Sequence, residues 1–589
     1  MRSTRTGTLA IVAALSLGPA RPALAAGAEA NEQARRATAI LRQYCHRCHG
    51  VRFEVPGYDV LARDRLVAGR GQGEKPYVVP GKPDDSEMWA RVGVERDMPP
   101  SGPKPSDAER LVLKDWIAAG APFPAGGEPR PIVAELDVLR AIRGHLDALD
   151  EADRPHHRYF TLANLHNNPK VRDDELRLAR AAVAKLLNSL SGKKALVVPE
   201  AIGPAQVVLA VDLRRLGWNG RDAWTSILRA YPYGLKQTNR AEPELRRLAR
   251  EVDRLVGDEV GLPDVRADWF VDAASRPDLY HALLGLPADA AELERRLGVK
   301  VEDDFLNDEL QRAAFSTSGV SGHNRLVDRH EGTLGGYYWK SYDFKGDDGP
   351  SNLRRSPLGP AFAANPFPRQ AFEHAGGEII FSLPNGLQAY LLVDGQGRRI
   401  DTGPPDVVSD SLKTSGTSLV INGLSCMACH RDGVNKFQDT IRDGVAVTGR
   451  ALEKVGRLFP TREVMDARVA KDQARFLAAV DEVAGGFLRV GDDSKKAIGD
   501  FPEPISTISR LYQKNPGLDE IAAELSLADG KTLKALIAAN AGARRLGLGP
   551  LLQGESIPRS EWDSLKGQTS STFQKAALEL ERGTPYREY

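Results

Sequence analysis

Cys45-His46-Arg47-Cys48-His49 and Cys426-Met427-Ala428-Cys429-His430 decide how this chain is read. Each is C-x-x-C-H, and together they use all four cysteines of the 589 residues. Residues i and i+3 share one face of a helical turn, and residue i+4 lies beside them. Two thiols and an imidazole therefore point the same way at each motif. This spacing is the signature of covalent c-type haem attachment: the thiols take the porphyrin vinyl groups and the histidine takes the iron. A thioredoxin-like pair needs no following histidine and expects a βαβ setting, which neither motif has. A shared zinc site would bring residues 381 apart in sequence onto one ion and leave both histidines without a purpose. The sequence thus predicts two haem c groups, held by Cys45 and Cys48 and by Cys426 and Cys429, with His49 and His430 as iron ligands.

Around the first motif, Ala34 to Tyr44 reads as a leading helix. It is followed by Gly/Pro-rich chain through Pro56-Gly57, Gly69 to Gly73 and Pro80-Gly81, a short helix from Asp85 to Val92, and an amphipathic helix from Ser106 to Ala119. Val79-Pro80-Gly81-Lys82-Pro83, Ser86-Glu87-Met88-Trp89, Met98-Pro99-Pro100 and Trp116 to Pro122 accompany the motif. With these residues the segment resembles the planctomycete-type cytochrome c domain over about 90 residues. The resemblance implies an all-α domain over 31–127 with Met98 as the sixth iron ligand. Physical reading agrees, since a thioether on a proline-stiffened loop can approach the open haem face. Met88, on a short helix, reads instead as core packing. Histidine/methionine ligation leaves no open coordination position and suits electron transfer.

Residues 1–26 read as a secretory leader: Arg2 and Arg5, an apolar run from Leu9 to Leu17, then Ala23-Leu24-Ala25. The apolar run is too short to span a bilayer, and no later stretch is apolar enough, so no membrane span is expected in the mature chain. The expected compartment is the periplasm. Without the leader's three arginines, 77 basic residues face 79 acidic ones, which leaves no basic excess for nucleic acid.

Pro122 to Pro131 holds four prolines and two glycines and marks a boundary. Residues 128–300 read as a mixed α/β middle region. Helices are expected near Leu136 to Leu149, Asp173 to Leu190, Arg221 to Ala230 and Asp289 to Leu297, and strands at Ala195 to Val198 and Gln206 to Leu213. No phosphate loop, dinucleotide fingerprint or nucleophile elbow is present. His156, His157 and His166 lack clustered partners and read as surface or core residues.

Residues 301–485 read as a second haem domain of α+β type. Tyr337, Tyr338, Trp339, Tyr342 and Phe344 suit a core or a haem wall. Glu378 to Ile400 carries the strongest strand signal, with turns at Pro384-Asn385-Gly386 and Asp394 to Gly397. A β-meander before the motif makes this domain no copy of the first. Phe372-Glu373-His374, Ser382 to Gly386, Ser425 to His430 and Gly583-Thr584-Pro585-Tyr586 resemble a largely uncharacterised bacterial family, which implies a second haem site and no substrate. Three outcomes stay open for its sixth ligand. They are Met465, on an expected helix from Thr461 to Val483; a histidine among His323, His330 and His374; or no protein ligand. His323 and His330, seven apart, would share a face on a helix. Residues 486–589 read as a helical tail.

The whole is a multi-domain, mainly α chain with a β-meander. Three functions fit it: an exported di-haem cytochrome that transfers single electrons between redox partner proteins; a di-haem peroxidase-like oxidoreductase with an open second haem; and a haem-based sensor or binding protein.

Overall fold

The computed structural model describes residues 23–46, 48–49, 60–61, 63–67, 76–100, 102–123, 130–218, 222–237, 242–257, 261–332 and 335–588. The expected leader up to residue 22, most of the glycine-rich stretch after His49 and the centre of the Pro122 to Pro131 boundary lie outside them. The chain divides into two compact units, 1–127 and 128–589. It mixes helices with several sheets.

The first unit is helical. A helix from Ala23 to Tyr44 runs into the first motif, and Asp107–Ala118 packs against it. The second helix starts where the sequence directs it. Ser106 accepts from the Glu109 backbone N–H, and the Glu109 carboxylate accepts from the Ser106 N–H at 2.7 Å, a reciprocal cap that satisfies two donors left over at a helix start. Ala37, Leu41, Leu113, Trp116 and Ile117 form the buried seam. The helix expected over Asp85 to Val92 is broken. A 3-10 turn, Pro83–Asp85, precedes Glu87–Trp89, and Ala90–Val94 widens into a π turn. Ser86 makes the break: its hydroxyl accepts from the Val79 N–H and donates to the Lys82 carbonyl, and its backbone is extended.

The second unit is built on two sheets. In the first, β1 (His157–Thr161) lies between β3 (Val208–Asp212), antiparallel, and β5 (Asp264–Arg266), parallel, with β2 (Glu200–Ile202) on the outer side of β3. The strand expected at Ala195 to Val198 does not form. The Asn188 side chain donates to the Val197 carbonyl at 2.7 Å and accepts from its N–H at 2.8 Å, so one amide does the work of a neighbouring strand. A small pair, β4 (Leu235–Lys236) with β11 (Thr584–Pro585), ties the residue 584 region to the middle of the chain.

The other sheet is a five-stranded antiparallel meander: β6 (Gln311–Phe315), β7 (Arg325–Glu331), β8 (Tyr337–Asp343), β9 (Gly376–Ser382) and β10 (Gln388–Asp394), adjacent in chain order. Only its last two strands were explicit in the sequence pattern. At the β9–β10 turn Gly386 has φ +92°, a conformation glycine adopts without penalty. Side chains alternate across the sheet, so positions 325 and 327 of β7, 339, 341 and 343 of β8, and 378 and 380 of β9 share one face. His330, in register with Tyr338, lies on the other face. It sits on a strand and not on the helix that would have aligned it with His323, because Leu326, Asp328 and His330 all turn into buried surroundings with period two.

Residues expected to form a middle region, a haem domain and a tail contribute to one large core, beside a smaller cluster that includes Leu326, Tyr342, Phe372 and Leu458. A single hydrophobic cluster runs from Val133 to Leu580. Asp173–Ser189 packs against both Arg462–Leu488 and Pro504–Tyr512. Between these helices Lys185 and Glu503 form a buried ion pair at 2.8 Å.

Candidate functional site

At the first motif the helix from Ala23 to Tyr44 is continued by backbone bonds from Cys48 N–H and His49 N–H to the Cys45 carbonyl, at 3.2 and 2.9 Å. These keep the two thiols and the imidazole on one turn. Both cysteines are half-buried and neither is in a disulfide. Burial pushes the Cys45 thiol up to about 12, with the nearby Cys48 thiol adding to the shift. Met98 is half-buried and packs against the unit's apolar cluster, whereas Met88 is 6% exposed within that cluster, the core position expected for it. The Trp116 indole N–H donates to the Pro122 carbonyl at 2.6 Å, and its ring meets Phe123 edge-on.

The second motif occupies the end of a six-residue helix, Leu424–Cys429, with His430 as its C-cap. Asp410 anchors the approach by accepting from the Ser425 hydroxyl at 3.0 Å and from the Leu412 and Thr414 N–H groups. A cavity of about 700 Å³ lies between this helix and the meander. The sheet contributes Arg325, Val327, Trp339, Asp343, Glu378 and Ile380; the helix contributes Cys426, Cys429 and His430. This volume is within the range of cofactor pockets, about 300–1,000 Å³.

His430 is held on both ring nitrogens. Nδ1 faces the Gly433 carbonyl at 3.3 Å, and Nε2 faces the Glu378 carboxylate at 3.3 Å. A backbone carbonyl on Nδ1 is the usual outer support of a metal-bound histidine and leaves Nε2 to the metal. The Tyr390 ring stacks near the imidazole, with centroids 6.1 Å apart. Burial alone would raise the Glu378 carboxyl; His430, the Cys426 thiol and Arg325 outweigh it and hold it at about 2. Burial pushes the Cys429 thiol up to about 12 and raises the Cys426 thiol as well. The donor set and the space suit a haem c: two thiols on one turn, an oriented imidazole and a largely apolar chamber.

The four residues weighed as sixth ligand are not among those lining this cavity. Met465 is buried in the large core. His330 donates to or accepts from Asp304 at 2.6 Å on the far face of the meander, and His374 stacks edge-on with Tyr342 and Phe372. His323 follows the loop that contributes Phe315 to Val320 to the wall. Of the aromatic group near residue 340, Trp339 lines the cavity while Tyr338, Tyr342 and Phe344 are buried in packing. His157 and His166 bond the Asp153 and Pro131 carbonyls. Sequence reasoning passed over Glu378, whose approach to a histidine 52 residues away depends on strand register.

Residues 45–102 match the family described as Planctomycete cytochrome C, the family that the motifs of the N-terminal segment resemble. A cytochrome c domain of this family carries covalently bound haem c and serves electron transfer. No curated protein and no solved structure matches the chain. Among the described residues, no helix is long and apolar enough to cross a membrane.

Proposed function

We propose that this chain is an exported di-haem c-type cytochrome that passes single electrons between redox partner proteins. Cys45 and Cys48 would hold one haem, with His49 and Met98 as its iron ligands; Cys426 and Cys429 would hold the other, with His430 as an iron ligand. The observation that carries the second half is the combination of a C-x-x-C-H turn, a cavity of about 700 Å³ and an imidazole whose Nδ1 rests on the Gly433 carbonyl. Bound haem supplies one-electron chemistry at an iron whose potential follows its axial ligands. The chain's own part is to clamp the ring through two thiols, orient the imidazole and keep water out with the sheet wall. Residues 1–26 direct the chain to the periplasm and are removed.

Expression with export and haem maturation tests this reading. The expected product has the mass of the leaderless chain plus two haems; a colourless product, or one haem, refutes it. Met98→Ala is expected to lower the midpoint potential of one haem and leave the other in place. If neither moves, Met98 is not a ligand.

One observation favours a second reading. No methionine, and no histidine besides His430, is among the residues lining the second cavity. An iron open on that side would suit a peroxidase-like oxidoreductase, and rapid turnover of hydrogen peroxide by the holoprotein would select it.

A further inference from the structure

We propose that Glu378 is the sixth ligand of the iron at the second site, opposite His430. The inference rests on the di-haem reading and fills the position that no methionine or second histidine supplies.

Direction and distance come first. The Glu378 carboxylate lies 3.3 Å from His430 Nε2, where that nitrogen presents its proton or its lone pair. Imidazole and carboxylate bonds to first-row metals such as zinc are about 2.0–2.2 Å long, so a metal held between these atoms needs roughly 4 Å from nitrogen to oxygen. A retreat of under ~1 Å by one flexible side chain provides it. The backbone beneath is fixed: the Glu378 N–H donates to the Ser341 hydroxyl at 2.8 Å, and β9 is paired on both sides.

Proton bookkeeping points the same way. Glu378 is bonded here by the His430 ring, and the Cys426 thiol lies near enough to lower its carboxyl. Thioether formation consumes the Cys426 S–H hydrogen, and metal binding replaces any proton on Nε2. Both supports of the carboxylate are therefore lost when haem is attached. Arg325 stays near but is bonded to Asp343; a buried carboxylate that has lost both supports is costly, and the iron is the cation brought to its position. Of the other charged groups of the wall, Lys340 pairs with Glu294, Lys436 is exposed, and the rest are bonded within the wall. Arg325 Nε donates to Asp343 at 2.5 Å. Asp410 accepts from Ser425, Leu412 and Thr414. An anionic oxygen ligand stabilises ferric iron, whereas a thioether raises the potential.

The test uses the holoprotein with its haems counted by mass before any spectrum is read. Glu378→Gln, equal in size, and Glu378→Ala are expected to change the ferric spectrum and raise the midpoint potential of one haem while the other is unaltered. Glu378→Met is expected to give that haem a low-spin spectrum with the sulfur-to-iron band of histidine/methionine ligation, which a merely structural role for Glu378 would not produce. Two haems with unchanged spectra and potentials in both Glu378→Gln and Glu378→Ala overturn the ligand assignment and leave the di-haem reading intact. A wild-type mass showing one haem overturns both.

Discussion

The two C-x-x-C-H turns share a pattern and little else. The first ends a long helix in a small helical unit, and its cysteines are half-buried. The second ends a six-residue helix beneath a five-stranded sheet, with Cys426 fully covered. Residues close in sequence can be reused in any setting that offers one helical turn. What surrounds each turn comes from distant chain, so it differs: an apolar helical cluster that Met98 packs against in one unit, a sheet wall carrying the Glu378 carboxylate in the other.

The largest expected effect separates the two directly. Replacing Cys426 and Cys429 by serine should remove one haem from the holoprotein mass and leave the first, while serine at Cys45 and Cys48 should do the converse. Loss of both haems from either double variant would break the expectation that each turn takes up its own haem.

A second test acts on stability. Lys185 and Glu503 are 3% and 5% exposed, and burial raises the Glu503 carboxyl less than Lys185 and the Ser506 N–H lower it. Lys185→Met leaves a buried carboxylate unpaired and should cost the second unit about 3–5 kcal/mol in denaturant unfolding, with the first unit unchanged. Because the folded pKa of Glu503 is depressed, this contribution is present above the ordinary carboxylate pKa and is lost as pH falls through the folded value. The difference between wild type and variant should therefore shrink in acid. The smallest effect belongs to the first unit: Ser106→Ala removes a helix cap and should cost about 1 kcal/mol there alone.

What the sequence disclosed follows the same division. Features set by neighbours were legible: the helical turns of both C-x-x-C-H motifs, the helices Asp173–Ser189 and Asp222–Ala230, the hairpin of β9 and β10, and Met88 as core. Features set by partners far along the chain were not. Asn188 replaces a strand for Val197, which no propensity anticipates. Strand β8 lacks a clean alternation because both faces of the sheet are covered, so it reads only as an aromatic-rich stretch, and β6 carries the same unbroken burial. The position facing His430 required the registers of β8 on β9 and β9 on β10, and a one-residue slip would have turned Glu378 away.

The hydrophobic cluster that runs from Val133 to Leu580 has a thermal consequence. The wall behind His430, the helix that carries Lys185 and the late helix from Pro504 to Tyr512 draw on the same apolar contacts. The second pocket accordingly has no private melting point: calorimetry of the full chain should show the chamber lost in the same endotherm as the helices Asp173–Ser189 and Pro504–Tyr512 that share its cluster.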